Sequence, residues 1–178
     1  MTTFNLSVYY MKRFISVLLA FATVLASLSS CQKDGVSLFD GNYSFKTSGT
    51  MTLRKHNVIS EPITARLVVE SGQMDITDMG EDGRMLITMS VAGGDILALY
   101  GSAQGKELVL DEQTRMVGVN LLGGEAISSK QEVTVEGSAS RYEDIVLFNL
   151  EYSGTITVAG SEYDIIDSDV ICRAKLNR

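Results

Sequence analysis

The sequence predicts an all-β domain built as an antiparallel meander, and three observations carry that prediction. Apolar and polar residues alternate with a period near two almost everywhere after residue 40. No stretch shows the apolar stripe of an amphipathic helix, which recurs about every 3.6 residues. Turn signals rich in glycine, such as Asp82-Gly83 and Gly93-Gly94-Asp95, recur at hairpin spacing.

Taken in order, Tyr43, Phe45, Thr47, Gly49, Met51 and Leu53 alternate with Ser44, Lys46, Ser48, Thr50, Thr52 and Arg54, giving a long first strand. Ile63, Ala65, Leu67 and Val69 form one face of a second strand, with Thr64, Arg66 and Glu70 on the other. Ser71-Gly72 is read as punctuation and Met74 to Met79 as a short return strand. Met85, Ile87, Met89 and Val91 alternate after the Asp82-Gly83 turn, Ile96 to Tyr100 follows the Gly93-Gly94-Asp95 turn, and Gly105 separates that strand from Glu107 to Leu110. Residues 112–130 read as one long irregular connection with three open readings: a lid, a docking surface, or an unrecognised strand.

Glu132 to Glu136 resumes the alternation, and Val146, Phe148, Leu150, Tyr152, Ile156 and Val158 then share the face of a long strand. Gly160-Ser161 turns it into Tyr163 to Ile166, and Val170 to Leu176 completes the set. The motif Ser48-Gly49-Thr50 returns as Ser153-Gly154-Thr155, with both glycines on the apolar parity, where a strand bends or a neighbouring backbone comes close. Roughly nine or ten such strands cover their apolar face by closing into a barrel or by folding into a β-sandwich. The barrel is the preferred reading and the sandwich its alternative.

Asp40-Gly41-Asn42-Tyr43 opens the first strand, and Arg173 lies on the last. On these residues the chain resembles the lipocalin-like, or calycin-like, barrels. These open with glycine, any residue and tryptophan, and pack that ring under an arginine from the barrel end. Tyr43 stands here in place of tryptophan. The resemblance implies a barrel over residues 40 to 176. An eight-stranded barrel either holds one small ligand or fills with side chains. Met51, Met85 and Met89, with Tyr43, are the candidate lining for an apolar guest, because thioethers adapt in shape. Plain core packing accounts for the same residues.

The first 30 residues have another purpose. Met11-Lys12-Arg13 precedes the uncharged, mostly apolar run Phe14 to Leu28, the pattern of a secretory signal peptide. The run is shorter than the roughly 20 residues that span a bilayer. Residues 1–10 add nothing to this signal, so translation is expected to begin at Met11. Leu28-Ser29-Ser30-Cys31 resembles the lipobox of bacterial lipoproteins, whose type II signal peptide is cleaved before a cysteine that then carries acyl chains. Each buried methylene contributes about 0.8 kcal/mol, so a multiply acylated Cys31 would moor the chain without spanning the membrane. Gln32, Lys33 and Asp34 resemble a short surface-export motif, and a solvated tether is the other reading. The expected organisation is residues 1–30 removed, 31–39 as a lipidated tether and 40–178 as one all-β domain. The expected location is the outer membrane, at the cell surface rather than on the periplasmic face.

From Cys31 onward the chain has 148 residues, 13 Lys+Arg and 22 Asp+Glu, a formal charge of −9, since Lys12 and Arg13 are the only charges upstream. Without basic runs, nucleic acid is not an expected partner. Cys172, the other cysteine, shares the parity of Val170, Ala174 and Leu176 and reads as a core residue. The single histidine, His56, excludes multi-histidine zinc sites, and no G-x-S-x-G elbow is present. Two acidic groups, Asp75, Asp78, Glu81, Asp82 and Asp164, Asp167, Asp169, do not follow the calcium-loop pattern. No metal, cofactor or enzymatic activity is expected. Two functional readings stand: a lipid-anchored protein binding a small apolar ligand inside a barrel, or an interaction subunit of an envelope assembly with a filled core.

Overall fold

The computed structural model describes residues 35–121, 130–158 and 160–178. Cys31 and Gln32 to Asp34, with part of the 112–130 connection, lie outside the described residues. Strand β1 (Gly41–Lys55) follows the predicted alternation, with Tyr43, Phe45, Thr47, Met51 and Leu53 buried and Ser44, Lys46 and Ser48 exposed. The others are β2 (Ile63–Leu67), β3 (Glu70–Asp78), β4 (Arg84–Val91), β5 (Ile96–Gln104), β6 (Glu107–Val117), β7 (Val119–Leu121), β8 (Gln131–Tyr142), β9 (Ile145–Val158) and β10 (Ser161–Leu176). All pairings are antiparallel, and β10 returns to pair with β1 from Tyr43↔Leu176 to Lys55↔Tyr163. The result is an eight-stranded closed barrel, consistent with a lipocalin-like barrel.

Met74 to Met79 is not a return strand. It belongs to β3, which runs in the same direction as β2 along β1; β2 pairs with Thr50–Leu53 and β3 with Gly41–Thr47. Ser71 and Gly72 lie within the ladder, where a Cβ on Gly72 would stand 1.9 Å from the Ser90 carbonyl oxygen. The glycine there permits close approach of two backbones and does not mark a turn. The actual interruption falls at Val68 and Val69, both exposed, and it moves the inward parity from Leu67 to Glu70.

This interruption is also a fork. Over Gly72–Asp78 the neighbour of β3 is β4, but over Ala65–Leu67 the neighbour of β2 is β7. Hairpin β4–β5 therefore enters the wall as a short wedge. The closed ring has eight strands at the Gly41 end (β1, β3, β4, β5, β6, β8, β9, β10), while toward Lys55 β2 takes the place of β3 beside β1 and carries β7 on its other edge. At the crotch, the Val68 amide donates to the Gly118 carbonyl at 2.8 Å.

Two seams in the wall are closed by side chains. β6 bulges between Leu110 and Gln113, and the Gln113 amide accepts from the Tyr100 N–H at 3.0 Å and donates to its carbonyl at 3.2 Å, imitating a peptide group. That bulge reverses the parity of β6, which explains why residues 112–121 read as irregular although they contain the rest of β6 and β7. β10 is likewise one strand, irregular between Ile165 and Val170, where the Ser168 hydroxyl accepts from the Tyr152 N–H at 2.9 Å. The repeated motif flanks this irregularity: Gly49 pairs with Val170 on one side and Gly154 with Ile165 on the other. Gly49 is needed for proximity, 2.1 Å from a built Cβ to the Asp169 oxygen, and Gly154 for its φ of +116°.

The Gly41 end is covered by a helical turn over residues 35–39 that packs against the core. Phe39 is fully buried, the Tyr43 hydroxyl donates to the Phe39 carbonyl at 2.7 Å, and the Arg141 guanidinium donates to the Leu38 carbonyl. The Gly72→Ala substitution is expected to lower stability by about 3 kcal/mol, because the methyl meets backbone rather than a movable side chain. A urea midpoint that does not move would show that the β3–β4 spacing relaxes at no cost.

Candidate functional site

The four proposed ligand-lining residues are part of a continuous core. Tyr43, Met51 and Met85 have no exposed surface and Met89 has 1%. Phe39, Leu53, Leu67, Met74, Ile76, Ile87, Leu108 and Phe148 are buried to the same degree. A ligand-sized void, about 300 Å³ or more, would leave accessible surface on the side chains around it. The four proposed lining side chains show almost none and pack as core, while Glu70 and Arg115 keep 8% and 5%. The arginine at the Tyr43 end is not Arg173, which the resemblance implied; Arg173 points outward and is exposed. Arg141, inward in parity on β8, occupies that place. Burial raises the Tyr43 hydroxyl pKa, and the Arg141 charge opposes the rise.

One charged pair is enclosed in the barrel. Arg115 on β6 donates through Nη2 to Glu70 Oε2 at 2.5 Å and through Nη1 to the Tyr152 hydroxyl at 3.1 Å, and its guanidinium carbon lies 5.9 Å from the centre of the Tyr152 ring. The side chains of Arg115 and Glu70 are 2% and 10% exposed. Burial pushes the Tyr152 hydroxyl to about 12 and the Cys172 thiol to about 11, so Cys172 is a protonated core residue. For Arg115, burial pulls the pKa down, but Tyr152 and Glu70 outweigh it and hold the net shift upward. Sequence reading missed both members of the pair for one physical reason. Glu70 and Arg115 each follow a break in alternation that turns a nominally outward residue inward, and the signal was Arg115 sharing parity with Val117 and Val119.

His56 follows β1 at its Lys55 end, with its side chain 37% exposed. Its Nδ1 faces Asp164 at 2.8 and 2.9 Å, and Thr155 Oγ1 donates to the same carboxylate at 2.7 Å. Those hydrogen bonds, Thr155 first and His56 second, hold Asp164 below the usual carboxylate range. Because Thr155 donates to the aspartate and not to the imidazole, the arrangement is not a nucleophile–base relay. In the first acidic group, Asp75 accepts from Asn42 and Asp78 from the Gly80 amide. No cluster of three metal-ligating side chains occurs among the described residues.

The outer wall carries the feature with the clearest binding character. On β1 and β10, Lys46 stands directly opposite Arg173, and Ser44 opposite Lys175. Together with Ser48, Phe45, Ile171 and Leu147 they line an open depression of about 560 Å³. An adjoining depression of about 500 Å³ shares Ser44 and Lys175 and adds Asp144, Leu176, Asn177 and Arg178. Asp144 is the only acidic side chain lining either one. Among the described residues Lys46, Arg173 and Lys175 form no ion pair. Alternation had placed Lys46 on a polar face, but its neighbour across the closure was invisible in the sequence.

Fold and surface together define a closed all-β barrel with a buried apolar core and one basic patch on its outer wall. No protein-family model, no curated protein and no solved structure matches this chain.

Removing one partner of the enclosed pair leaves a charge without compensation, so Glu70→Ala is expected to cost about 3–5 kcal/mol. The double substitution Glu70→Leu with Arg115→Met is expected to fall within about 1 kcal/mol of the parent in chemical denaturation. A mild Glu70→Ala, no worse than the double, would mean that water reaches Arg115.

Proposed function

We propose that this chain is a lipid-anchored lipoprotein of the outer membrane, non-enzymatic, whose barrel serves as an interaction subunit of an envelope assembly. The burial of the four expected lining residues is the observation that supports the second of the two readings. With Tyr43, Met51, Met85 and Met89 all in the core, the barrel has its own side chains where an apolar guest would sit. What it offers a partner is its outside. Besides the basic depressions, exposed apolar side chains border the fork: Val68 at 40%, Val69 at 51%, Ile96 at 72% and Met116 at 44%. Exposed apolar groups of this kind around a structural break suit protein contact better than solvation.

The anchor reading rests on the signal run, the Leu28-Ser29-Ser30-Cys31 box and the placement of the folded domain only a few residues beyond Cys31. No helix among the described residues is long and apolar enough to cross a membrane, and an acylated cysteine supplies attachment without one.

Cys31→Ala is expected to move the protein from the detergent phase to the aqueous phase on fractionation, and native mass spectrometry of the parent is expected to show acyl mass with no further guest. Unchanged partitioning would remove the anchor, and a retained apolar molecule would restore the ligand-carrier reading. Replacing Lys33 and Asp34 by alanine is expected to reduce digestion of the protein by protease on intact cells; equal digestion of both forms would leave residues 32–34 as a plain tether.

A further inference from the structure

The closure between β1 and β10 sets like charges face to face, as β8 and β9 also do at Glu136 and Glu151. Opposite charges facing across adjacent strands stabilise a sheet and like charges destabilise it, each by roughly 0.2–1 kcal/mol. Lys46 and Arg173 nonetheless face each other directly, with Lys175 two residues along, on a chain carrying a formal charge of −7. Among the described residues none of the three makes an ion pair, although Asp144 lines the adjoining depression with Lys175. Elsewhere on the wall, Arg84 is held by Asp111 through two hydrogen bonds of 3.0 and 2.7 Å and by Ser102 at 3.2 Å. What sets this closure apart is that Lys46, Arg173 and Lys175 line one open depression together with apolar side chains, a concave surface complementary to an acidic partner.

We propose that this face binds an extended, acidic segment of a partner protein, lying along β10 over the depression. The inference rests on the interaction-subunit reading and names the chemistry of its partner. Residues i and i+2 of an extended chain point the same way and stand roughly 6.6–6.8 Å apart, the spacing of Arg173 and Lys175 on β10 itself. A segment with acids at i and i+2 thus meets both cations at once, while Lys46, about 5 Å across the ladder from Arg173, reaches the same carboxylate from the other side. The planar guanidinium accepts a carboxylate in two-point fashion and fixes its orientation. Ile171, 44% exposed, and the half-buried Leu147 form an apolar floor for a side chain beside the acids. Ser44 and Ser48 are short, and that leaves the wall concave between the longer side chains.

Other occupants fit less well. A two-fold dimer centred on this patch would set cations against cations. Nucleic acid would meet three unpaired cations on a strongly acidic body, too few to offset the repulsion. An anionic bilayer would meet the Gly41 end of the barrel first, and that end is rimmed by Asp78, Glu81, Asp82, Glu143 and Asp144.

The test uses the mature, acylated protein in neutral detergent and a short labelled peptide of alternating glutamate and threonine ending in leucine, followed by fluorescence anisotropy. The peptide is expected to bind, to weaken steeply with added salt, and to lose about tenfold in affinity on Lys46→Gln with Arg173→Gln. That variant is expected to melt no lower than the parent, because it removes a repulsion, so lost binding will not reflect lost folding. Equal affinity of the parent and the variant, equal binding of a peptide with glutamine in place of glutamate, or capture by phosphatidylglycerol vesicles with no peptide binding would each overturn the proposal. If acylation at Cys31 and a guest-free interior stand while the peptide fails, only the partner assignment falls.

Discussion

The ladder between the first and last strands is the constraint on which everything else depends. An open sheet of this length would present two unpaired edges, and the apolar face that includes Phe45, Met51, Phe148 and Leu150 would stay wet. Pairing β10 with β1 removes both edges at once and turns every inward side chain toward a common axis. β1 bears the geometric load, since along its other edge it pairs with β3 and then with β2. Glycines without room for a Cβ, Gly49 and Gly72 among them, let the backbones approach where that curvature is tightest.

The fork follows from the same wall. Toward Lys55 the core is made by Leu53, Ala65, Val119 and Ile156, all buried. At the Gly41 end the helical turn 35–39 delivers Phe39 to the opening. Between these limits the Arg115–Glu70 pair sits at the level of the fork, where two breaks in alternation turn polar residues inward. The pair is tolerable because each charge answers the other and Tyr152 takes a further guanidinium proton.

The two charged features differ in how they are compensated. Inside, a cation and an anion are matched at hydrogen-bond distance. Outside, three cations share the closure with no match, and water rather than protein carries their repulsion. The contrast leaves the unmatched charge on the outer wall, where solvent screens it.

Period-two alternation was legible for β1, β4 and β9, and the turns at Asp82-Gly83, Gly93-Gly94 and Gly160 followed from residue type alone. β6, β7 and the second half of β8 were harder to see. A bulge inverts parity in β6, and Gly137, Ser138 and Ser140 give β8 little apolar contrast. Ser71-Gly72 misled because glycine serves both turns and close approaches, and only the neighbouring strand tells which. By itself, then, the sequence determined the all-β class and the buried Cys172, because these depend on local order along the chain. The choice of barrel over sandwich, the fork between β2 and β3, the Arg115–Glu70 pair and the meeting of Lys46 with Arg173 were decided only by tertiary structure. Each of them requires residues far apart in the chain to be brought together by the closing of the sheet.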